Sequence, residues 1–402
     1  MSAHGGDEIS GFYDRHPYPP PVVDLDHEID AWADGLRRRV EHARLWSSRP
    51  YRDDHTILVA GCGTSQAARY AVRYPSARIV GIDVSPTSLD ATQRLLERHD
   101  LTNVELHRLP IEQVASLGRS FEHIVCTGVL HHLTDPGAGL RALRDVLAPE
   151  GALRLMVYAT YGRFGVHVMQ DYCRRLAIRP TPAEIADLVS TLRELPNGHP
   201  ISHLLRATPD FRDDDALADA LLNPRDRSYS VPEVFDLIEA AGMRFGRWVR
   251  QAPYRPQCGA LSEVPHGRRI AAMPEPDQFA AVELFRGTMQ RHGAVLHRDD
   301  SPLPTEPISW DGEAWRAFVP VRPATVVAIE ERLPPNVAAA LINQAHVDRD
   351  LVCFLGPDAK RIYERVDGER SIAEITGATA ELFRRLWWHD LVMLDTSRSH
   401  PR

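Results

Sequence analysis

Lysine is almost missing from this chain. Of its 47 basic residues only Lys360 is a lysine, so Schiff-base chemistry has a single candidate. Cysteine is sparse as well. Cys62, Cys126, Cys173, Cys258 and Cys353 are widely scattered and form no Cys-x-x-Cys pair, which argues against a disulfide framework and against structural zinc. No apolar run approaches the length of a membrane span, and no membrane partner is expected. The amino terminus, MSAHGGDEIS, has neither a basic n-region nor an apolar core, so no signal peptide is read and a cytoplasmic protein is expected. A net charge of −8 offers nucleic acid no bulk electrostatic attraction. At 402 residues the chain exceeds what one core usually supports, so more than one domain is expected.

Against these absences stands one short segment, TILVAGCGTS at 56–65. The apolar run Ile57, Leu58, Val59, Ala60 suits a strand buried on both faces. It drives into the tight turn Gly61-Cys62-Gly63, where the absence of a Cβ lets backbone approach a ligand. A helical stretch from Gln66 to Tyr74 follows, and a second strand, RIVGID at 78–83, closes on Asp83. This is the layout of a nucleotide-binding βαβ unit, with the glycine turn toward the ligand and the second strand's carboxylate on the ribose. A dinucleotide loop wants a third glycine, and this one has Ser65 and Gln66 instead.

The pattern continues for a hundred residues. Ser85-Pro86 caps a helix, with Leu89, Thr92, Leu95 and Leu96 inward. Strands are read at 104–109 and 121–129, then Asp135-Pro136 opens a further helix, and ALRLMVYA at 152–159 is a fifth strand. Alternating strands and helices define an open parallel α/β sheet.

AGCGTS, GIDVSPTSL, FEHIVCTGVLHHL and LRALRDVLAPEGALRL resemble, in order, the motifs of class I S-adenosylmethionine-dependent methyltransferases. The resemblance covers about residues 55–160, with the helix VPEVFDLIEAAGM and strand RFGRWV at 231–249 matching later elements. FYDRHPYPPP at 12–21 is similar to a prelude of some bacterial methyltransferases. The resemblance implies a Rossmann-like sheet that binds S-adenosyl-L-methionine. Gly61, Cys62 and Gly63 would face the cofactor, Asp83 would take the ribose hydroxyls, and Val84 would flank the adenine. Pro110, Ile111 and Glu112 would line its other side, while Thr127 and Gly128 would sit near the methionine end. His131 and His132 would open a helix over the substrate mouth and are the candidate catalytic bases. Capping or packing is their plain alternative. Adjacent histidines on a helix point in different directions, so no metal is expected. Tyr13, His16 and Tyr161 are further candidates.

Three positions depart from the family pattern. Val59 stands where many members carry an acid, Ser65 where they carry a third glycine, and Pro110 where a carboxylate often reads the adenine. Methyl transfer to a small-molecule or peptide acceptor is the leading reading. A binding protein with a degenerate methyltransferase fold and a nicotinamide-dependent oxidoreductase are the alternatives.

The remaining chain divides into three parts. Residues 1–50, with a helix from about Ile29 to Trp46, form an arm that either closes over the cofactor or simply packs. Residues 51–300 hold the methyltransferase domain, with an insertion at about 160–230 whose helices (Val166–Leu176, Pro182–Leu195, Asp213–Leu222) are the candidate substrate cap. Tyr158, Tyr161, Arg163, His167, Tyr172, Arg225, Asp226, Arg227 and Tyr229 are its polar and aromatic residues. Residues 301–402 read as a smaller α+β, winged-helix-like domain, with helices at Asn336–His346 and Asp358–Arg365. Its expected role is that of a structural or dimerising appendage, with peptide or protein binding as the alternative.

Overall fold

The computed structural model describes residues 4–207 and 213–399. Seven strands form the central sheet: β1 (Thr56–Ala60), β2 (Arg78–Asp83), β3 (Val104–Arg108), β4 (Phe121–Thr127), β5 (Leu147–Tyr158), β6 (Met243–Trp248) and β7 (Arg291–Arg298). Their order is β3-β2-β1-β4-β5-β7-β6. Strands β1 to β5 pair in parallel, but β7 runs antiparallel to both β5 and β6. The sheet is therefore mixed, not purely parallel as expected. Strand β7 went unread because its place between β5 and β6 is set by partners far away in the chain. The order reverses between β1 and β4, and the crevice at the carboxyl ends of the strands there is where open α/β sheets bind ligands.

The local expectations hold where capping chemistry governs them. Ser85 Oγ accepts the Ser88 N–H, and Asp135 Oδ1 accepts the Ala138 N–H, which satisfies first-turn donors that would otherwise be orphaned. The arm's helix is interrupted: Asp26–Trp32 and Leu36–Leu45 are separate, with the Asp34 carboxylate accepting the Leu36 N–H at the restart.

The helices Phe164–Arg175, Pro182–Arg193, Ser202–Ala207 and Asp214–Leu222 stand over the crevice. Met169, Ile185, Leu188 and Leu217 make their common core, and Phe12 from the helix His4–Arg15 is buried in it. The helix Leu36–Leu45 goes elsewhere. Its Val40 and Ala43 pack on Val321 and Met393, while Leu45 and Trp46 pack on Ala152 and Val295 of the sheet.

Two small antiparallel sheets build the carboxy-terminal part. One is ordered β11-β10-β9 and the other pairs β12 with β8, where β8 is Val319–Val321, β9 Val326–Ile329, β10 Ala339–Asn343, β11 Val352–Leu355 and β12 Met393–Asp395. With the helices Pro357–Glu364 and Ala380–Trp388 they enclose a core of Phe318, Leu341, Leu355, Phe383 and Leu386. The stretch expected as a helix at Asn336–His346 is β10, the middle strand. Its alanines favour a helix in isolation, but Ala339, Ala340 and Leu341 are buried between two neighbouring strands, and packing outweighs propensity.

Below β1 and β4, His42, His55 and His123 are buried together against Trp46, with centroid distances of 4.6 to 5.9 Å. Neither ring nitrogen of His123 has a partner. Burial lowers the pKa of His42 to about 3 and of His297 to about 4, and pushes His123 well down. Unfolded histidine titrates near 6.5. Below that pH the unfolded chain takes up protons that the folded chain refuses. Stability is therefore expected to fall between about pH 6.5 and 4, by up to about 1.4 kcal/mol per pH unit for each such histidine. Urea unfolding at pH 7 and pH 5 reads this directly. His123→Leu is expected to shrink the difference, and an unchanged difference would clear His123 of any part in it.

Candidate active site

Strand β1 delivers the chain to the turn Gly61-Cys62-Gly63. Gly61 has φ +70°, and a Cβ there would meet Val129 Cγ2 at 2.4 Å. Gly63 also has positive φ, +53°, a region only glycine visits freely. Its N–H donates to Asp83 Oδ2 at 2.8 Å, and the Ser85 N–H donates to Oδ1 at 2.9 Å. Burial raises the Asp83 pKa, against the pull of the backbone N–H groups of Ser85, Gly63 and Val84. Each carboxylate oxygen keeps acceptor capacity beyond its backbone partner. Cys62 lines the cleft with its thiol turned inward. Its thiol lies 3.3 Å from where a Gly81 Cβ would stand, inside the core cluster under the loop, so only its backbone is free to face a ligand. Burial pushes that thiol well above its ordinary pKa.

The loop opens on a cleft of about 1250 Å³. Gly61, Cys62, Gly63, Asp83, Val84, Ile111, Glu112, Thr127 and Gly128, the residues singled out in the sequence, all line it. Thr127 is held from behind, its Oγ1 accepting from Gln66 Nε2 at 2.7 Å. Gly128 has φ +80° and faces the Met156 methyl. At the far end Tyr158, Arg163 and Arg225 line the cleft under the helical cap. Tyr161 and Tyr172 are exposed on its outside, and His167 does not reach the cleft.

The two histidines separate in role. They lie in the 3-10 turn Leu130–His132, ahead of the helix that starts at Pro136, so they do not open that helix. Their rings are only 4.1 Å apart between centroids, which a regular helix would not have allowed. His132 lines the cleft. His131 is 1% exposed and packs 4.1 Å from the Tyr158 ring, and burial lowers its pKa well below the usual value.

Residues of the amino-terminal helix complete the walls, a contribution that the sequence marked only through the FYDRHPYPPP segment. Ser10 Oγ donates to the Val84 carbonyl, and Ser85 Oγ donates to Asp14 Oδ1 at 2.7 Å. On the cap side the Tyr13 hydroxyl donates to Asp219 Oδ1 at 2.8 Å. Burial and the Asp219 carboxylate push the Tyr13 phenol well above its ordinary pKa. His16 is structural: its ring nitrogens meet Asp215 Oδ1 and the Pro180 carbonyl, and it stays out of the cleft. Thr64 Oγ1 donates to the Pro19 carbonyl at 2.7 Å. The helix joins the end of β2 to the cap, and the segment after it reaches the glycine loop through Pro19.

A family model described as a methyltransferase domain matches residues 58–153. An uncharacterized protein of Synechococcus sp. is 31% identical over 305 residues, which span 74% of this chain and 72% of that protein. A malonyl-[acyl-carrier protein] O-methyltransferase of Halorhodospira halophila is 31% identical over 153 residues, 37% of this chain and 46% of its own. PKMT2 from Rickettsia typhi superposes with a TM-score of 0.63 at 14% identity, over 94% of this chain and 77% of that one, and thereby shares the fold. The chain belongs to the class I S-adenosylmethionine-dependent methyltransferases, in one family with the Synechococcus protein. It is a methyltransferase, and the cofactor of its class is S-adenosylmethionine. The cradle at Gly61 and the open oxygens of Asp83 fit that cofactor.

Among the described residues no helix is long and apolar enough to cross a membrane.

Proposed function

We propose that this chain transfers a methyl group from S-adenosylmethionine to a small-molecule or peptide acceptor held between the glycine loop and the helical cap. The observation that carries the reading is Asp83, presented at the end of β2 beside the glycine loop and at the edge of a cleft that continues beneath the cap. In this assignment Gly61, Gly63 and the Cys62 backbone receive the methionine and ribose portion, and Asp83 takes the ribose hydroxyls. Val84, Ile111 and Glu112 border the adenine, with Thr127 and Gly128 near the reacting end. The cofactor supplies an already electrophilic sulfonium methyl, so the protein's main task is alignment of a nucleophile at near-attack geometry. His132, which lines the far part of the cleft, is the candidate base for an acceptor that must lose a proton. His131, buried behind it, does not reach the cleft.

Calorimetric titration with S-adenosylmethionine, S-adenosylhomocysteine and NAD tests the assignment. The two sulfur nucleotides are expected to bind and NAD is not. Asp83→Ala is expected to weaken binding by about 1.5–3 kcal/mol, the contribution of hydrogen bonds to a charged group. Wild-type affinity in that variant would refute the ribose assignment, and binding of NAD alone would restore the oxidoreductase reading.

A further inference from the structure

Beside the cleft, two segments distant in sequence are joined by two hydrogen bonds. The Arg227 N–H donates to the His131 carbonyl at 3.1 Å, and His132 Nδ1 lies 2.5 Å from the Arg225 carbonyl. A carbonyl only accepts, so His132 carries its proton on Nδ1 and keeps a lone pair on Nε2. Asp226, between these two anchors, has its oxygens divided in the same way. Oδ2 accepts from Arg163 Nη2 at 2.9 Å and from Gln170 Nε2 at 2.7 Å, while Oδ1 is buried without a partner. Both ring nitrogens of His131, 1% exposed, are also buried and unpaired. One donor atom from each of His131, His132 and Asp226 lies within 4.8 Å of the other two. Buried polar atoms left unmade cost about 1–3 kcal/mol each, and in folded proteins an ion or ordered water commonly completes them.

We propose that His131, His132 and Asp226 form a binding site for a divalent transition-metal ion, held by two imidazole nitrogens and one carboxylate oxygen. That donor set suits Zn²⁺ or Fe²⁺, whereas Mg²⁺ and Ca²⁺ take oxygen ligands. The outer partners of such a site are already in place. The Arg225 carbonyl orients the His132 ring, while Arg163 and Gln170 hold the carboxylate through the oxygen that the ion would not use. Three protein ligands leave coordination positions free. Two neutral imidazoles, one carboxylate and the Arg163 guanidinium sum to no net charge, so a bound dication calls for an anionic ligand from the cleft that His132 lines. An ionised oxygen of the methyl acceptor meets that need. With the ion bound, His132 Nε2 is a ligand, and the ion in place of the His132 base favours loss of the acceptor's proton. This last assignment rests on the methyltransferase reading; binding of the ion itself does not.

The test uses the full, untagged chain stripped with a chelator. It is titrated with Co²⁺, followed by visible absorption, and with Zn²⁺, followed by calorimetry, each with and without S-adenosylhomocysteine. One ion per chain is expected, with affinity at least about tenfold weaker in His131→Gln and in Asp226→Asn. Asp226→Asn also removes the partner of Arg163, so thermal unfolding is measured for both variants, and His131→Gln, which breaks no ion pair, carries the comparison. Wild-type protein that takes up neither Co²⁺ nor Zn²⁺ overturns the site, as does a folded His131→Gln that binds like wild type. Ion binding that persists in a protein with no affinity for S-adenosylhomocysteine would support the site and count against the cofactor assignment alone.

Discussion

Asp390→Ala is expected to destabilise the protein by about 3–5 kcal/mol, the usual cost of removing one member of a buried charged pair. Asp390, just past the helix Ala380–Trp388, is 2% exposed. It accepts from Arg247 Nη2 at 3.0 Å on β6, from the Gln251 and Ala252 N–H groups at 2.7 and 3.0 Å, and from His346 Nε2 at 3.1 Å. The carboxylate thereby anchors the carboxy-terminal part to the central sheet. Removing it leaves the buried Arg247 without its counter-charge and two buried N–H groups without an acceptor. Burial alone would raise the Asp390 pKa, but the His346 hydrogen bond and the Arg247 charge hold it below the ordinary carboxylate value. Its folded pKa is depressed, so its contribution is complete above the unfolded value near 3.9 and is lost as pH falls through the folded one. That window lies below the histidine window, so the two acid effects separate on a pH series. Chemical denaturation at pH 7 measures the main effect. A loss of under 1 kcal/mol would mean that apolar packing, including Val321 and Met393 on the helix Leu36–Leu45, does the anchoring instead.

Gly61→Ala carries the second large effect, this time on binding. The substitution forces an alanine to φ +70° and sets its Cβ 2.4 Å from Val129 Cγ2. The left-handed backbone costs about 1–2 kcal/mol and the overlap about 1–3 more. The loop relieves both by moving, and Gly63, whose N–H is bonded to Asp83, moves with it. Affinity for S-adenosylhomocysteine is expected to fall by about a hundredfold or more, since 1.4 kcal/mol is a factor of ten. Gly63→Ala is the informative contrast. Its Cβ would meet nothing closer than 3.4 Å, so only the backbone term remains and the loss is expected to be about tenfold. Equal affinities for both variants, each shown to be folded by circular dichroism, would move the crowded point of the loop away from Gly61.

The part of the site that could be read from the sequence is the part built locally. β1, the glycine turn and Asp83 fall within one βαβ unit, where apolar runs, glycines and helix caps act on near neighbours. Two of the insertion's helices likewise start on local signals, Thr181 before Pro182 and Asp213, whereas the short helix Ser202–Ala207 is not marked in the sequence. The histidine pair shows where that reasoning stops. Read as a helix start, His131 and His132 diverge; in the 3-10 turn before Pro136 their rings meet, and a segment more than ninety residues later supplies Asp226.

Local pattern therefore marked the βαβ unit, the glycine turn with Asp83 at the end of β2, and helices of the insertion. Tertiary structure decided which strand lies between β5 and β6, that the alanine-rich stretch at Ala339–Asn343 is a strand, and that the amino-terminal helix closes one wall of the cleft. Tyr13 and Asp219, bonded to each other, are 206 positions apart. Periodicity records which face of an element is buried. It does not record what that face is buried against, and at this site the partner decides the chemistry.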